Sequence, residues 1–123
     1  MSRPWKLRRT AQCAVCPWKT STDPARDIPA YDRAKHAALE RTISPTEPEA
    51  MLRWTAAKLS GAEPTHIFTC HDTDKAHCVG WLHNQLGRGN NVVQRIAMSA
   101  CTNADRLRVV GPQHPTFKDT LPK

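Results

Sequence analysis

Four of the five cysteines fall into two groups far apart in the chain, and this spacing constrains the fold more than any other feature. Cys13-Ala-Val-Cys16 is a CxxC, and Cys70 and Cys78 form a C-x7-C with His71 and His77 between them. Two residues between thiols allow both sulfurs of a CxxC to point at one ion from a tight turn, and a tetrahedral ion needs two further ligands. The expected arrangement is one zinc site built from Cys13, Cys16, Cys70 and Cys78. His71 is an alternative ligand or a residue that hydrogen-bonds the ligands from behind. Such an ion would clip the loop at 13–16 to the segment 70–78. By analogy with a disulfide closing a loop of that length, the clip is worth roughly 3–5 kcal/mol. Total domain stability is about 5–15 kcal/mol.

The rest of the composition makes a staple useful. The chain has 123 residues, which fits one domain, and 39% are apolar; ten are proline, two Phe and one Tyr. Irregular connections and a thin core are expected. The first residues are basic and polar with no apolar core of a secretory signal, and no run is long enough to span a membrane. The expectation is a cytoplasmic protein. In a reducing compartment paired cysteines are read as metal or redox sites rather than structural disulfides.

Other readings of the thiols stay open. Cys70 and Cys78 are equally the kind of small apolar residue that cores bury. CxxC is also a redox motif, although Pro17 and a proline-rich loop stand where a thioredoxin-like helix would follow. Four cysteines also suit an iron–sulfur cluster. Cys101 reads as a core thiol, and His36, His66, His83 and His114 as structural or surface residues.

The pattern divides the chain into a flexible basic arm (1–12), a single zinc-stapled domain (13–111) and a loose C-terminal tail (112–123). The fold class expected is small and mostly α, an α+β domain with a short strand or two and irregular loops. Helical spacing covers Tyr31 to Arg41. A second helix is expected from about Pro48 to Ser60, capped by Thr46 and closed by Gly61. Thr65 to Thr69 reads as a strand delivering Cys70 and His71. Further helices are expected over Ala76 to Leu86 and after Asn90 or Asn91, with a short helix or strand over Asp105 to Val110.

The formal charge is +7, with Arg3, Lys6, Arg8 and Arg9 ahead of any acid. These residues, with Arg88, Arg95, Arg106 and Arg108, are the candidate partner-binding set, for nucleic acid or for an acidic host protein surface. No HExxH, GxSxG, P-loop or zinc-deaminase pattern is present, so no catalytic residue is assigned. A His-Asn-His nuclease reading of His71, Asn84 and a later histidine has loose spacing.

The motifs CxxCPW (Cys13 to Trp18), FxCH (Phe68 to His71) and CxGW (Cys78 to Trp81) resemble a family of small uncharacterised proteins of bacteriophages and bacteria, with the arrangement CxxCP…CH…CxGW. The resemblance spans roughly residues 13–100. It implies a shared metal-type site and a phage or mobile-element origin, hence a host-cell cytoplasm. It also implies a class in which small proteins act by blocking host or defence enzymes. The functional expectation is a binding module with a structural zinc. The alternatives are a metal-dependent enzyme acting on nucleic acid and an iron–sulfur regulatory protein.

Overall fold

Acidic and amide side chains start most of the helices. In the computed structural model, which describes residues 3–122, Asp23 caps α1 (Pro24–Asp27) and Asp32 caps α2 (Arg33–Ala38). Glu47, rather than the expected Thr46, caps α3 (Pro48–Leu59), accepting from the N–H groups of Glu49 and Ala50. Ser60 and Gly61 end α3, and Gly61 takes φ 80°, a left-handed conformation that suits glycine. Cys78 precedes α4 (Val79–Leu86), Asn91 caps α5 (Val92–Met98) by accepting from Gln94 N, and Thr116 caps α6 (Phe117–Thr120). Short 3-10 turns lie at Leu39–Thr42 and Ala104–Arg106. The domain is mostly helical with irregular loops between its helices.

Strands did not form where expected. Thr65 to Thr69 pairs only through an isolated antiparallel bridge of Thr69 with His77. Cys70 N donates to Ala76 O at 2.7 Å and Cys78 N to Phe68 O at 2.8 Å. This local pairing holds Ala76 to Cys78 extended, so α4 begins at Val79 and not at Ala76. The helix expected over Tyr31 to Arg41 likewise shortens to α2 and tightens into the 3-10 turn.

The segment expected as a flexible arm is packed into the domain. Trp5 N donates to Ala100 O and Thr102 N to Trp5 O. Asn103 exchanges two hydrogen bonds with the Leu7 backbone, and Arg108 N donates to Thr10 O while Gln12 N donates to Arg108 O. The cause lies in an alternation inside the basic run. Trp5 and Leu7 face inward, Leu7 being 4% exposed, while Lys6 and Arg8 face solvent. The tail is packed too: Phe117 and Thr120 are buried, and His114 N donates to Trp18 O.

The core gathers Trp18, Trp81, Leu82, Phe68, Phe117, Met98 and Leu7 around Cys13, Cys16, Cys70 and Cys78. Trp81 is fully buried and its Nε1 donates to Thr42 O at 3.1 Å. Trp18, Phe68 and Phe117 form a tilted aromatic cluster with centroids 6.2–6.4 Å apart. A buried amide network locks α4 to its neighbours: Gln85 Oε1 accepts from Ser44 N and from Asn91 Nδ2, and Gln85 Nε2 donates to Asn84 Oδ1. No helix among the described residues is long and apolar enough to cross a membrane.

Candidate metal centre

The two cysteine groups meet in the core because two short turns face each other. Cys16 N donates to Cys13 O and Lys19 N to Cys16 O, so the CxxC loop is a tight reversal. Opposite it, the bridge at Thr69 and His77 sets Cys70 and Cys78 on adjoining backbone, with Cys78 at the N-terminus of α4. Cys16 Sγ lies 3.7 Å from Cys78 Sγ. The Cys13 thiol interacts in turn with those of Cys16 and Cys70.

Gly80 makes this approach possible. A Cβ there would lie 2.6 Å from Trp18 Cβ, 2.8 Å from Cys16 Sγ and 2.8 Å from Gln12 Nε2. Any larger residue at position 80 would drive the CxxC loop away from Cys78.

Cys13, Cys16 and Cys78 hold their protons unequally. The thiols of Cys13 and Cys78 hydrogen-bond Cys16 and draw its pKa down to about 3, with the Trp18 N–H and the Gln12 side chain acting in the same direction. Cys13 is raised well above its ordinary value by its hydrogen bond to Cys16 and by burial. Burial first, and the Cys16 thiol second, push Cys78 up, while the Trp81 N–H opposes them. The site thus already favours one thiolate among several thiols. It does so chiefly through the hydrogen bonds from the Cys13 and Cys78 thiols, with the backbone N–H of Trp18 and the Gln12 side chain adding to them.

All five cysteines are free thiols. The contacts run as a chain of pairs, Cys70 to Cys13 to Cys16 to Cys78. Among the described residues, no group of three or more His, Cys, Asp or Glu side chains stands preformed as a metal cage. The donor set nevertheless suits a soft or borderline ion. A tetrahedron with Zn–S bonds of about 2.3 Å has sulfur–sulfur edges of about 3.8 Å, and the Cys16–Cys78 separation is close to that edge. His71 is exposed and lines a cavity together with Tyr31, His36 and Phe68. His77 is half-buried and stacks on Trp5 at 5.4 Å. Cys101 stands apart from the four and contacts Asn103 Oδ1.

Sequence reasoning passed over Gln12 and Trp18 as partners of Cys16. Their positions, one residue before the CxxC and two after it, were the available signal. His36, expected as a structural or surface residue, is structural. The structure buries His36 between Tyr31 Oη, 2.6 Å from Nδ1, and Thr120 Oγ1, 3.0 Å from Nε2. Because Thr120 Oγ1 donates to Phe117 O, it accepts from His36 Nε2–H, and Nδ1 accepts from Tyr31.

The candidate partner-binding cations divide. Arg3, Lys6 and Arg8 are exposed, as are Arg88, Arg95, Arg106 and Arg108. Arg9 is half-buried and committed: it pairs with Asp72 at 3.1 Å and donates to Thr73 and Ala11. Arg95 donates to Leu86 O. Parallel bridges of Trp5 with Cys101 and of Ala11 with Arg108 lay the N-terminal segment along residues 101–108. Lys6 and Arg8 therefore share one ribbon with Arg106 and Arg108.

Comparison with family models, curated proteins and solved structures returns no match.

Proposed function

We propose that this protein is a small zinc-binding module in which Cys13, Cys16, Cys70 and Cys78 hold one structural ion, and whose basic ribbon engages a polyanionic partner. The observation that carries the metal reading is the Cys16–Cys78 contact of 3.7 Å inside a core that buries all four thiols. Four thiolates would close the coordination sphere, which is the pattern of a structural site rather than a catalytic one. The ion would draw the chain of thiol pairs around a common centre and fix the CxxC loop on the start of α4.

The partner reading rests on charge. Lys6, Arg8, Arg106 and Arg108 lie exposed on two adjoining segments, and the chain carries +7. Phosphates of a nucleic acid suit such a ribbon. An acidic protein surface of a host or defence enzyme is the competing partner, and it draws on the same cations together with the family resemblance.

Elemental analysis of the purified protein, with duplex DNA and RNA titrated at two salt concentrations, tests both parts. About one zinc per chain supports the metal reading, and iron with inorganic sulfide replaces it by a cluster. Binding whose log K falls with log salt at about −0.9 per phosphate contact supports the nucleic-acid partner. No binding to either polymer at low salt leaves the protein partner.

A further inference from the structure

A cavity of about 480 Å³, lined by Thr69 and His71 but by none of the cysteines or the ribbon cations, lies beside α2. Its size is in the range of small-molecule sites. Ile28, Leu39 and Phe68 give it an apolar lining, with Tyr31 and His36 as further ring walls. Tyr31 Oη and His36 Nδ1 bond each other at 2.6 Å, so the rings are held and their polar atoms engaged.

Lys35 and Arg41 also line it, and both are exposed. Neither forms an ion pair with another described residue. The one carboxylate on the wall, Asp32, is occupied in capping α2 by accepting from Lys35 N at 3.1 Å. Two free cations beside an apolar, ring-walled cavity favour a ligand with one anionic end and a flat apolar body. Asp32 opposes a dianion such as a phosphate more strongly than it opposes a monoanion.

We infer that this cavity binds a small organic carboxylate with a flat apolar body, its ring between Phe68 and Leu39 and its carboxylate met by Lys35 and Arg41. A planar guanidinium matches a carboxylate with two parallel donors, and the ammonium adds a point charge. Thr69 and His71, which flank Cys70 in sequence, both line the cavity, whereas Cys70 itself is buried with the other thiols. A bound acid therefore touches the same short segment that supplies Cys70.

The test is an NMR titration of the full chain, labelled with nitrogen-15, using 2-naphthoate and its neutral counterpart 2-naphthamide. The expected result is shift changes confined to residues 28–41 and 68–71, with the acid bound about tenfold more tightly than the amide, the scale of one charge-assisted contact. The double variant Lys35→Ala with Arg41→Ala, at exposed positions, should lose that preference with an unchanged melting temperature. Ala38→Trp, on the cavity wall, should weaken both ligands. Equal affinity for acid and amide, shifts centred on Lys6, Arg8, Arg106 and Arg108, or no shifts at millimolar ligand would each overturn the inference.

Discussion

Cys16 Sγ and Cys78 Sγ stand 3.7 Å apart although 62 positions separate them in the chain. That contact joins the N-terminal loop to the first turn of α4, the helix that carries Trp81, Leu82 and Gln85 into the core. If an ion sits there, folding and metal binding are linked. Cys16→Ser should then lose the bound metal and about 3–5 kcal/mol of stability, the scale of opening a cross-link. Cys101→Ser, outside the group, should change both little. Metal content and urea denaturation of the two variants check this, and equal damage from both would sink the assignment.

Gly80 is expected to be intolerant of a single methyl group. In Gly80→Ala the new Cβ meets Trp18 Cβ, Cys16 Sγ and Gln12 Nε2 inside van der Waals contact. Overpacking of this kind costs about 1–3 kcal/mol. Gly61→Asn, at a position with nothing near a Cβ, is the control and should cost less than about 1 kcal/mol. Thermal denaturation of both variants decides it.

Gln85→Leu should be costly despite preserving volume. It orphans Ser44 N and Asn91 Nδ2, which are hydrogen-bonded to Gln85 Oε1 in a fully buried setting. Each buried group left without its partner costs about 1–3 kcal/mol. Hydrogen exchange at Ser44 should speed up in this variant, and unchanged exchange would refute the role given to Gln85.

Stability should fall as pH drops through the histidine range. Burial lowers the His36 pKa from its ordinary value near 6.5 to about 4, with the Arg33 charge adding to the effect. Above 6.5 both folded and unfolded chains hold it neutral and it costs nothing. Between about 6.5 and 4 the unfolded chain takes up a proton that the folded chain refuses. Stability then falls by up to about 1.4 kcal/mol per pH unit. Below about 4 both forms are protonated and the loss levels off. The difference between wild type and His36→Gln across urea titrations at several pH values isolates this residue. Parallel pH profiles for the two proteins would contradict it.

Removing exposed charge from the ribbon should act on binding alone. Lys6→Ala with Arg8→Ala leaves Trp5 and Leu7 in place, so the melting temperature should stay constant. The salt slope for a duplex should flatten by up to about two units, one per lost phosphate contact. Deleting residues 2–9 outright would instead remove Leu7 from the core and destabilise the domain. Titration of duplex DNA at several salt concentrations, beside a thermal melt, separates the two effects.

Several local features were readable without coordinates because their causes are local. The proline at the start of α3, Gly61 after its end and Asn91 as a cap act through a few neighbouring residues, so α3 and α5 fall close to where the sequence places them. The pairing of CxxC with the later cysteines was legible as chemistry, since thiols in two distant groups have a reason to converge. Thr65 to Thr69 misled because β-branched content speaks for extended backbone, not for a partner strand. The chain offers it only the short return at His77. Residues 3–12 misled because their charge outweighs two apolar side chains in any composition count, yet Trp5 and Leu7 decide where the segment lies.

By itself, then, the sequence determined a mostly helical domain with irregular connections and four thiols with a reason to meet. Helix caps, turn residues and cysteine spacing act over short range or through distinctive chemistry. Tertiary structure alone decided that the basic N-terminus runs beside residues 101–108, that His36 is a neutral buried link between Tyr31 and Thr120, and that Gly80 lets α4 press on the CxxC loop. These depend on which surfaces bury each other across most of the chain. That choice follows from the packing of the whole core, and no local run of residues contains it.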